Sequence, residues 1–405
     1  MSGTVNAQQQ NVSKSKMTPA QQNAMARQAI WQNAKPILQR VTSKTFSSVA
    51  AGQSNQIVVN PLQIGFVRRF LVEVTGTITN TTSGVALTRT PNGVSNLISN
   101  LTFNDFTGNP RHNCSGRSLA YVSAFKYGSV PGAALTSDTV DGFASVIPSN
   151  VGPSLTVSGG GTPSATFTHV FEVPIMQDTG KQMAGGMWLG TNNQSTLLTI
   201  TLNNTMAVAS TGDPLNAVLI GATAGAITYT MTNFTVTVYQ DYWNNVVTGA
   251  DGNPVLPIQD VSTAYMITET NAGLTFASGQ TSFWNFPTFS QLLGTYIAFD
   301  NGANALNPGT DIANIALQVS NYAIIRQYDP NIISRLTRDI LMADMPSGSY
   351  GIPSRQHPLN VTQYPSLQLG ITPTGTINAG TYAMITTELL RPVQYMAAAS
   401  GISGS

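Results

Sequence analysis

The chain has 405 residues, which is enough for two or three domains and at least one sizeable core. Charged residues make up only 9% of it, hydrophobic residues make up 41%, and Thr, Ser, Asn and Gly stand where other soluble proteins carry charge. This composition argues against intrinsic disorder and against a helix-rich fold, and it favours β-sheet with loops.

The N-terminal stretch is basic. The net charge is +1, yet no acidic residue precedes Glu73, and no Lys or Arg lies between Lys181 and Arg326. A basic arm on a nearly neutral body is suited to bind phosphate, either of nucleic acid or of lipid headgroups, and the plainer alternative is a solvated, poorly ordered tail. The predicted binding residues of this arm are Lys14, Lys16, Arg27, Lys35, Arg40 and Lys44, with Trp31 as an interfacial or packing anchor.

The arm is predicted to contain a helix. Thr18 is a favourable N-cap, Pro19 suits the first helical position, and Gln21 completes a capping box. Good helix formers follow, and Pro36 bends or ends the helix. Such a polar helix is not a core by itself, so we expect it to lie on a surface. Residues 1–44 are therefore assigned to a basic, Gln-rich arm with a helix.

From Thr45 onward, an alternation with a period of two predicts half-buried antiparallel strands. In the run 70–78, Phe70, Val72 and Val74 fall on one face, and the run 198–202 alternates in the same way. A phase slip around Asn233 predicts a β-bulge. Many short strands, separated by turn sequences rich in Gly, Pro and Asn, predict a β-sandwich architecture.

Two features indicate two related sandwiches in series. Gly and Pro residues break regular structure between 248 and 257 and mark a linker. Each half also has a strand followed by a helical segment that starts with Asp, over 178–187 in the first half and from Asp329 in the second. The second segment has an apolar stripe of Ile332, Ile333, Leu336 and Ile340. The predicted boundaries are 45–247 for the first sandwich, 248–257 for the linker, 258–395 for the second sandwich and 396–405 for a tail.

Several short sequences, in order along the chain, resemble the major coat protein of tectiviruses, which are icosahedral phages with a membrane inside the protein shell. They are Thr18-Pro19-Ala20-Gln21-Gln22, Phe70-Leu71-Val72, Asp213-Pro214-Leu215-Asn216-Ala217, Val238-Tyr239-Gln240, Leu256-Pro257 with Asp260, Ser262, Thr263 and Tyr265, and Phe299-Asp300-Asn301-Gly302 with Gly309-Thr310-Asp311-Ile312.

The resemblance implies an all-β double jelly roll of two eight-stranded sandwiches with an N-terminal helical arm. It implies that three chains form a trimer with a pseudo-hexagonal outline that tiles a capsid facet, with the arm at the base against the inner membrane and neighbouring capsomers. The implied partners are other copies of the chain, the internal viral membrane and minor capsid, vertex and cement proteins, without sequence-specific nucleic acid. The implied location is the virion shell, after synthesis in the host cytoplasm.

Residues that usually carry chemistry are scarce and scattered. With Cys114 as the single cysteine and three histidines in total, a disulfide framework and most metal clusters are excluded, and no cofactor is predicted. We interpret His112 and Cys114 as a loop residue and an inert thiol, His169 as a hydrogen-bonded core histidine and His357 as a surface residue. No nucleophile elbow or phosphate-binding loop is present in the sequence, so we predict that the protein is not an enzyme.

Two rival functions share this composition. A secreted or cell-surface β-sandwich that binds carbohydrate or a receptor should carry a signal peptide and an aromatic platform, and neither is recognisable in the sequence. A glycoside-cleaving sandwich needs two carboxylates a few ångströms apart, and no spacing points to such a pair. The longest uncharged apolar run, over 217–227, is shorter than the ~20 residues of a membrane-spanning helix. A structural assembly protein is therefore the preferred interpretation.

Overall fold

The computed structural model describes residues 34–49, 55–90, 92–105, 108–127, 164–177, 184–189, 195–213, 216–244, 263–273, 279–288, 290–300, 311–319, 323–341, 348–355, 357–364, 366–375 and 382–392. The strands of the first half are β1 Lys35–Phe46, β2 Gln56–Val59, β3 Phe66–Asn80, β4 Leu87–Arg89, β5 Ile98–Asn104, β6 Pro110–Cys114, β7 Ser164–Pro174, β8 Met187–Trp188, β9 Leu197–Leu202, β10 Ala207–Val208, β11 Leu219–Gly221 and β12 Tyr229–Asn244; helix α1, Gly116–Tyr127, follows β6. Those of the second half are β13 Thr263–Gly273, β14 Ser282–Asn285, β15 Gln291–Asp300, β16 Ile312–Val319, β17 Ala323–Tyr328, β18 Ser349–Pro353, β19 Leu359–Asn360, β20 Leu367–Pro373 and β21 Tyr382–Pro392; helix α2, Pro330–Leu341, follows β17.

The two halves have the same strand topology. In the first half, the strand order β1-β12-β3-β7 forms one sheet and β2-β9-β5-β6 the other; in the second half, β13-β21-β15-β18 and β14-β20-β16-β17 form the corresponding sheets. The eight strands of these two sheets can be numbered 1 to 8 in chain order within each half. With this numbering, the strand orders of the two sheets are 1-8-3-6 and 2-7-4-5 in both halves. This is the jelly-roll arrangement, so the prediction of two eight-stranded sandwiches is confirmed.

The alternation of apolar and polar residues predicted a strand correctly where one face of the strand is buried and the other is less buried. Along β3, Phe70, Val72 and Val74 are buried and the intervening residues are half-buried. The ring centroids of Phe70 and Phe103, from the two facing sheets of the first half, are 5.5 Å apart. The predicted bulge is also present, since Asn233 has a positive φ of 52° and the pairing of β12 with β3 shifts register there.

The two sandwiches share one continuous sheet. The strand order β18-β15-β21-β13-β6-β5-β9-β2 runs through both halves, because β6 of the first half pairs in parallel with β13 of the second. Ile267 lies opposite His112, and Thr268 lies opposite Asn113. A backbone ladder therefore joins the two sandwiches in addition to the chain connection.

The predicted boundary between arm and first sandwich falls inside a strand. Strand β1 begins at Lys35 and pairs with β12 along its whole length, so Pro36 lies in a strand opposite Trp243 and not in a helix. A proline is tolerated there because β1 is at the edge of its sheet. The helix predicted around Thr18 and the predicted linker lie outside the described residues.

The two predicted helical segments have different outcomes. The one after Asp329 is confirmed as α2. The one over 178–187 is wrong in its described part, because Ala184 and Gly185 form a turn and Met187 belongs to β8. The first half instead has its helix at α1, which the sequence analysis missed. Over the described residues, neither helix combines the length and apolarity that crossing a bilayer requires.

Candidate functional site: the junction and the assembly surfaces

Three of the predicted arm residues lie on β1. Lys35 and Arg40 are exposed. Lys44 makes contacts within its own chain. Its Nζ donates a hydrogen bond to the Gln56 carbonyl oxygen at 2.9 Å and lies 4.8 Å from the ring centroid of Phe46. The remaining predicted residues, Lys14, Lys16, Arg27 and Trp31, lie outside the described residues.

Strand β1 presents an open edge. Within the described residues, one side of β1 pairs with β12 and no strand pairs with the other side. The side chain of Leu38 on this strand is 56% exposed. An unpaired strand edge with an exposed apolar side chain is suited to contact another chain.

Helix α1 lies between the two sandwiches. It is buried from Gly116 to Phe125, and its cap is Ser115, whose Oγ accepts a hydrogen bond from the Ser118 N–H at 3.3 Å. The ring of Phe125 packs on Tyr296 of β15 with centroids 5.0 Å apart. It also covers Gly351 of β18, where an added Cβ would lie 2.2 Å from the ring. Only glycine at position 351 permits this close approach.

A half-buried carboxylate ties the start of α1 to the second sandwich. Glu269 of β13 accepts hydrogen bonds from the Ser115 N–H at 2.7 Å and from the hydroxyls of Ser115 and Ser118 at 2.5 Å. The hydroxyl of Thr386 on β21 lies 2.6 Å from that of Ser118. An anionic acceptor near a helix N-terminus is also stabilised by the helix dipole.

A second carboxylate, Glu388 of β21, is fully buried and surrounded by donors. Arg355 forms an ion pair with it, and the hydroxyls of Tyr265 and Tyr296 donate hydrogen bonds to it at 2.7 and 3.1 Å. Burial is the largest influence and by itself would lower the pKa of Arg355, but Glu388, Tyr265 and Tyr296 together outweigh it and raise that pKa. Burial, and then Glu388, raise the pKa values of both tyrosines. These shifts keep Arg355 charged and both tyrosines neutral.

Ion pairs continue on the first-sandwich side of α1. Glu172 of β7 lies 2.7 Å from Arg69 and 3.6 Å from Lys126 of α1. Arg69 also reaches Asp241 of β12 at 2.9 Å, and Arg68 approaches Asp241 at 3.3 Å. Burial lowers the pKa of Lys126, and the nearby Glu172 partly offsets this. We name these residues the junction charge network: Arg68, Arg69, Lys126, Glu172, Asp241, Arg355 and Glu388.

His112 and Cys114 lie on β6 and are buried, so the prediction of a loop position was wrong. The Nδ1 of His112 accepts a hydrogen bond from the Ile267 N–H at 3.1 Å, which leaves Nε2 to donate to the Pro174 carbonyl oxygen at 2.6 Å. A neutral imidazole thus bridges the two sandwiches. Burial raises the pKa of the Cys114 thiol, as expected for an unreactive cysteine.

His169 is a core residue, as predicted, but it is not hydrogen-bonded. Among the residues that the structure describes, neither ring nitrogen has a hydrogen-bond partner, and the ring packs against Phe171 with centroids 4.6 Å apart. Burial lowers the pKa of His169 to about 4 and that of His112 to about 3. His357 lies exposed in a bend, as predicted.

We expect these histidines to make the protein acid-labile. Because both pKa values are below the usual ~6.5, the unfolded chain binds more protons between about pH 6.5 and 4, and stability falls as the pH falls. Each histidine should contribute a slope of about 1.4 kcal/mol per pH unit. The measurement is the free energy of unfolding between pH 4 and 8. His169→Phe should flatten the slope and His357→Gln should not; equal slopes in all three proteins would contradict the expectation.

The geometry indicates structural roles for these two acids. Both oxygens of Glu388 are occupied by protein donors, and one oxygen of Glu269 accepts three hydrogen bonds from Ser115 and Ser118. In the part of the chain that the structure describes, no three His, Cys, Asp or Glu side chains come together as a metal site. The contacts at the junction serve to attach the two sandwiches rigidly to each other.

Comparison with known proteins identifies relatives for both halves. Residues 2–246 match the family model of the P3 major capsid protein N-terminal region, and residues 262–404 match that of its C-terminal region. The major capsid protein P3 of Enterobacteria phage PRD1 is 30% identical over 376 residues, which cover 88% of this chain and 91% of the relative.

Solved structures show the same fold at low identity. The crystal structure of the STIV major capsid protein, from Sulfolobus Turreted Icosahedral Virus, has a TM-score of 0.59 at 13% identity and covers 90% of this chain and 99% of that one. The PBCV-1 virus capsid has a TM-score of 0.51 at 10% identity, with 88% and 95% covered.

The topology is that of a double jelly roll, and the family models and relative that match both halves are of capsid proteins. The chain belongs to the P3 major capsid protein family, which confirms the resemblance to tectivirus coat proteins. It is a structural component of the virion shell that assembles with copies of itself, and the family is not one of enzymes. Family membership favours this function over the alternative of a secreted binding module.

Proposed function

We propose that this capsid protein forms trimers with a pseudo-hexagonal outline, which tile an icosahedral shell around an internal membrane. The observation that carries the proposal is the pair of sandwiches with identical topology, which share one continuous sheet and are bridged by helix α1. Three such two-lobed chains offer six similar lobes, and six similar lobes in a ring pack as a hexagon. Tiling a facet with such units requires each chain to be rigid. The junction between the two sandwiches provides this rigidity.

The trimer is tested by light scattering and electron microscopy of the purified chain. A mass of three chains, with six-lobed particles in projection images, is expected at micromolar concentration. A stable monomer with a folded circular dichroism spectrum would overturn the proposal.

The basic arm, residues 1–44 in the sequence analysis, is proposed to contact the internal membrane and neighbouring capsomers. Its cations suit anionic headgroups, at about 1 kcal/mol for each Lys or Arg near the surface. Further proposed partners are the minor capsid, vertex and cement proteins, and synthesis is proposed to take place in the host cytoplasm. A specific nucleic-acid sequence is not among the proposed partners, because positive charges bind phosphate groups and do not distinguish one base from another.

Neutralising the arm should abolish binding to anionic membranes. In a variant with Lys14, Lys16, Arg27, Lys35 and Arg40 replaced by Gln, co-flotation with phosphatidylglycerol vesicles should fall to the level seen with phosphatidylcholine vesicles. Lys44→Gln is the matched control, since Lys44 is already bound to the Gln56 carbonyl oxygen. Unchanged flotation of the multiple variant, or equal loss in the control, would contradict the proposed role.

A further inference from the structure

A polar cavity lies beside the start of α1, where the two sandwiches meet. Its volume is about 220 Å³, and strands β5 and β13 and the segment that follows β9 contribute to its walls. The lining residues are Asn96, Ile98, Ser99, Ser115, Arg117, Asn203, Asn216 and Glu269. Glu269 belongs to the second sandwich and the others belong to the first, so the cavity is part of the junction.

Two of the neutral polar side chains in the lining use their hydrogens within the protein. The Nδ2 of Asn203 donates hydrogen bonds to the carbonyl oxygens of Asn96 at 2.9 Å and Asn216 at 2.6 Å. The hydroxyl of Ser99 donates to the carbonyl oxygen of Thr201 at 3.2 Å. A hydroxyl oxygen and an amide oxygen each have two lone pairs, so these side chains remain able to accept hydrogen bonds or to bind a cation.

Glu269 uses only one of its two oxygens in the contact with α1. Its Oε2 accepts all three hydrogen bonds from Ser115 and Ser118. Its Oε1 accepts no hydrogen bond from any residue that the structure describes. A half-buried carboxylate oxygen without a protein donor needs water or a cation as its partner, and Glu269 lines a cavity that has room for either.

The charges around the cavity are unequal. Arg117 is the cationic side chain of the lining, and its Nε and Nη2 donate to the Met384 Sδ on β21 at 3.1 and 2.8 Å. Glu269 is the acid of the lining, and Asp213 adds a second negative charge next to it because its carboxylate accepts a hydrogen bond from Asn216. Two acids therefore stand against one arginine, which favours a cation over an anion.

We propose that this cavity binds a calcium ion, which connects Glu269 of the second sandwich with side-chain oxygens of the first. Calcium accepts carboxylate, amide and water oxygens in a flexible geometry, whereas magnesium demands a near-ideal octahedron. At about 30 Å³ for each water molecule, the cavity has room for the ion and several waters. With one carboxylate in the lining, the dissociation constant is about 10⁻⁴–10⁻³ M. The site goes beyond the proposed function and does not depend on the trimer.

Thermal unfolding of the full chain tests the site. In 10 mM CaCl₂ the unfolding temperature should be about 2–3 °C higher than in EDTA at equal ionic strength, because an ion that binds only the folded state stabilises it. The same concentration of MgCl₂ should have a smaller effect. Glu269→Gln should abolish the calcium-dependent rise, whatever its own stability. Glu73→Gln is the matched control, since Glu73 is also half-buried and does not line the cavity, and it should keep the full rise.

Two further variants change the affinity without removing the carboxylate. Arg117→Met removes the positive charge and should tighten calcium binding by about threefold or more. Ser99→Ala, at an exposed position, should weaken it by a similar factor and keep the chain folded even if Glu269→Gln does not fold. Isothermal titration calorimetry with CaCl₂ measures the dissociation constants.

The outcomes decide for or against the site. No calcium-dependent rise in the wild type would overturn the proposal, and so would an equal rise in Glu269→Gln. An unfolding temperature that rises with inorganic phosphate but not with calcium, and no longer does so in Arg117→Met, would mean that the cavity takes an anion. None of these results bears on the oligomeric state, so the proposed trimer stands or falls separately.

Discussion

Replacing Glu388 by Gln is expected to destabilise the second sandwich by about 3–5 kcal/mol. The amide keeps the shape and an acceptor oxygen for one of the two hydroxyls of Tyr265 and Tyr296, but it leaves Arg355, only 17% exposed, without its counter-charge. Removing one partner of a buried ion pair costs this much because the remaining charge stays in a site that excludes water. Denaturant unfolding, followed by tyrosine and tryptophan fluorescence, measures the loss.

The control for this prediction is Glu73→Gln. Glu73 is half-buried on β3, and its nearest donor, the Tyr239 hydroxyl, is 3.4 Å away, so the same substitution should cost less than about 1 kcal/mol. The double variant Arg355→Met, Glu388→Gln should recover part of the stability, because no unpaired charge is left. A Glu388→Gln protein as stable as Glu73→Gln would refute the structural role of this ion pair.

A rigid junction matters to a shell because every chain must present its outer surfaces at a fixed angle. The two sandwiches are held by a backbone ladder at β6 and β13 and by helix α1, whose start is hydrogen-bonded to Glu269 and whose Phe125 packs on Tyr296. The ion pairs of the junction charge network lie within one sandwich each and fix the residues next to α1. Both halves of the junction are therefore held in a defined geometry.

The helices and strands that could be predicted from the sequence are those with one buried and one solvent-facing side. The strands β3 and β9 alternate because their outer residues reach solvent, and α2 was found because its apolar stripe has a polar opposite side. Helix α1 is buried from Gly116 to Phe125, so it has no such contrast, and only its Ser115 cap marks its start. Strand β1 was assigned to the arm because an exposed edge strand needs no apolar alternation.

The junction itself was out of reach of sequence analysis. Glu172, Lys126, Arg355 and Glu388 are far apart along the chain, and only the strand order brings them to the same place. One signal was present. Glu388 follows two threonines and precedes Leu389 and Leu390 in a chain with few charges, and a lone acid in such a strand indicates a buried partner.

Gly185→Ala is expected to cost about 2–5 kcal/mol and to loosen the contact between the sandwiches. Gly185 has a φ of +82°, which costs an alanine about 1–2 kcal/mol. An added Cβ would also lie 2.6 Å from both the backbone nitrogen and the Cβ of Tyr265 on β13, and forcing atoms into a packed site adds about 1–3 kcal/mol. The carbonyl oxygen of Gly185 accepts a hydrogen bond from Arg111, so the turn has little freedom to move away. Differential scanning calorimetry measures the effect as a lower unfolding temperature.

Gly84→Ala separates the two costs. Gly84 also has a positive φ, of +72°, but an added Cβ there would meet no atom within 4 Å. This variant should therefore be destabilised only by the positive φ of the alanine. The difference in stability between the two variants is then the steric cost of the added Cβ at the junction. The contact with Tyr265 also explains why a helix does not continue through Gly185, since the chain passes the second sandwich there in a conformation that only glycine adopts without strain. Equal unfolding temperatures for Gly185→Ala and Gly84→Ala would mean that the two sandwiches do not press against each other at this point.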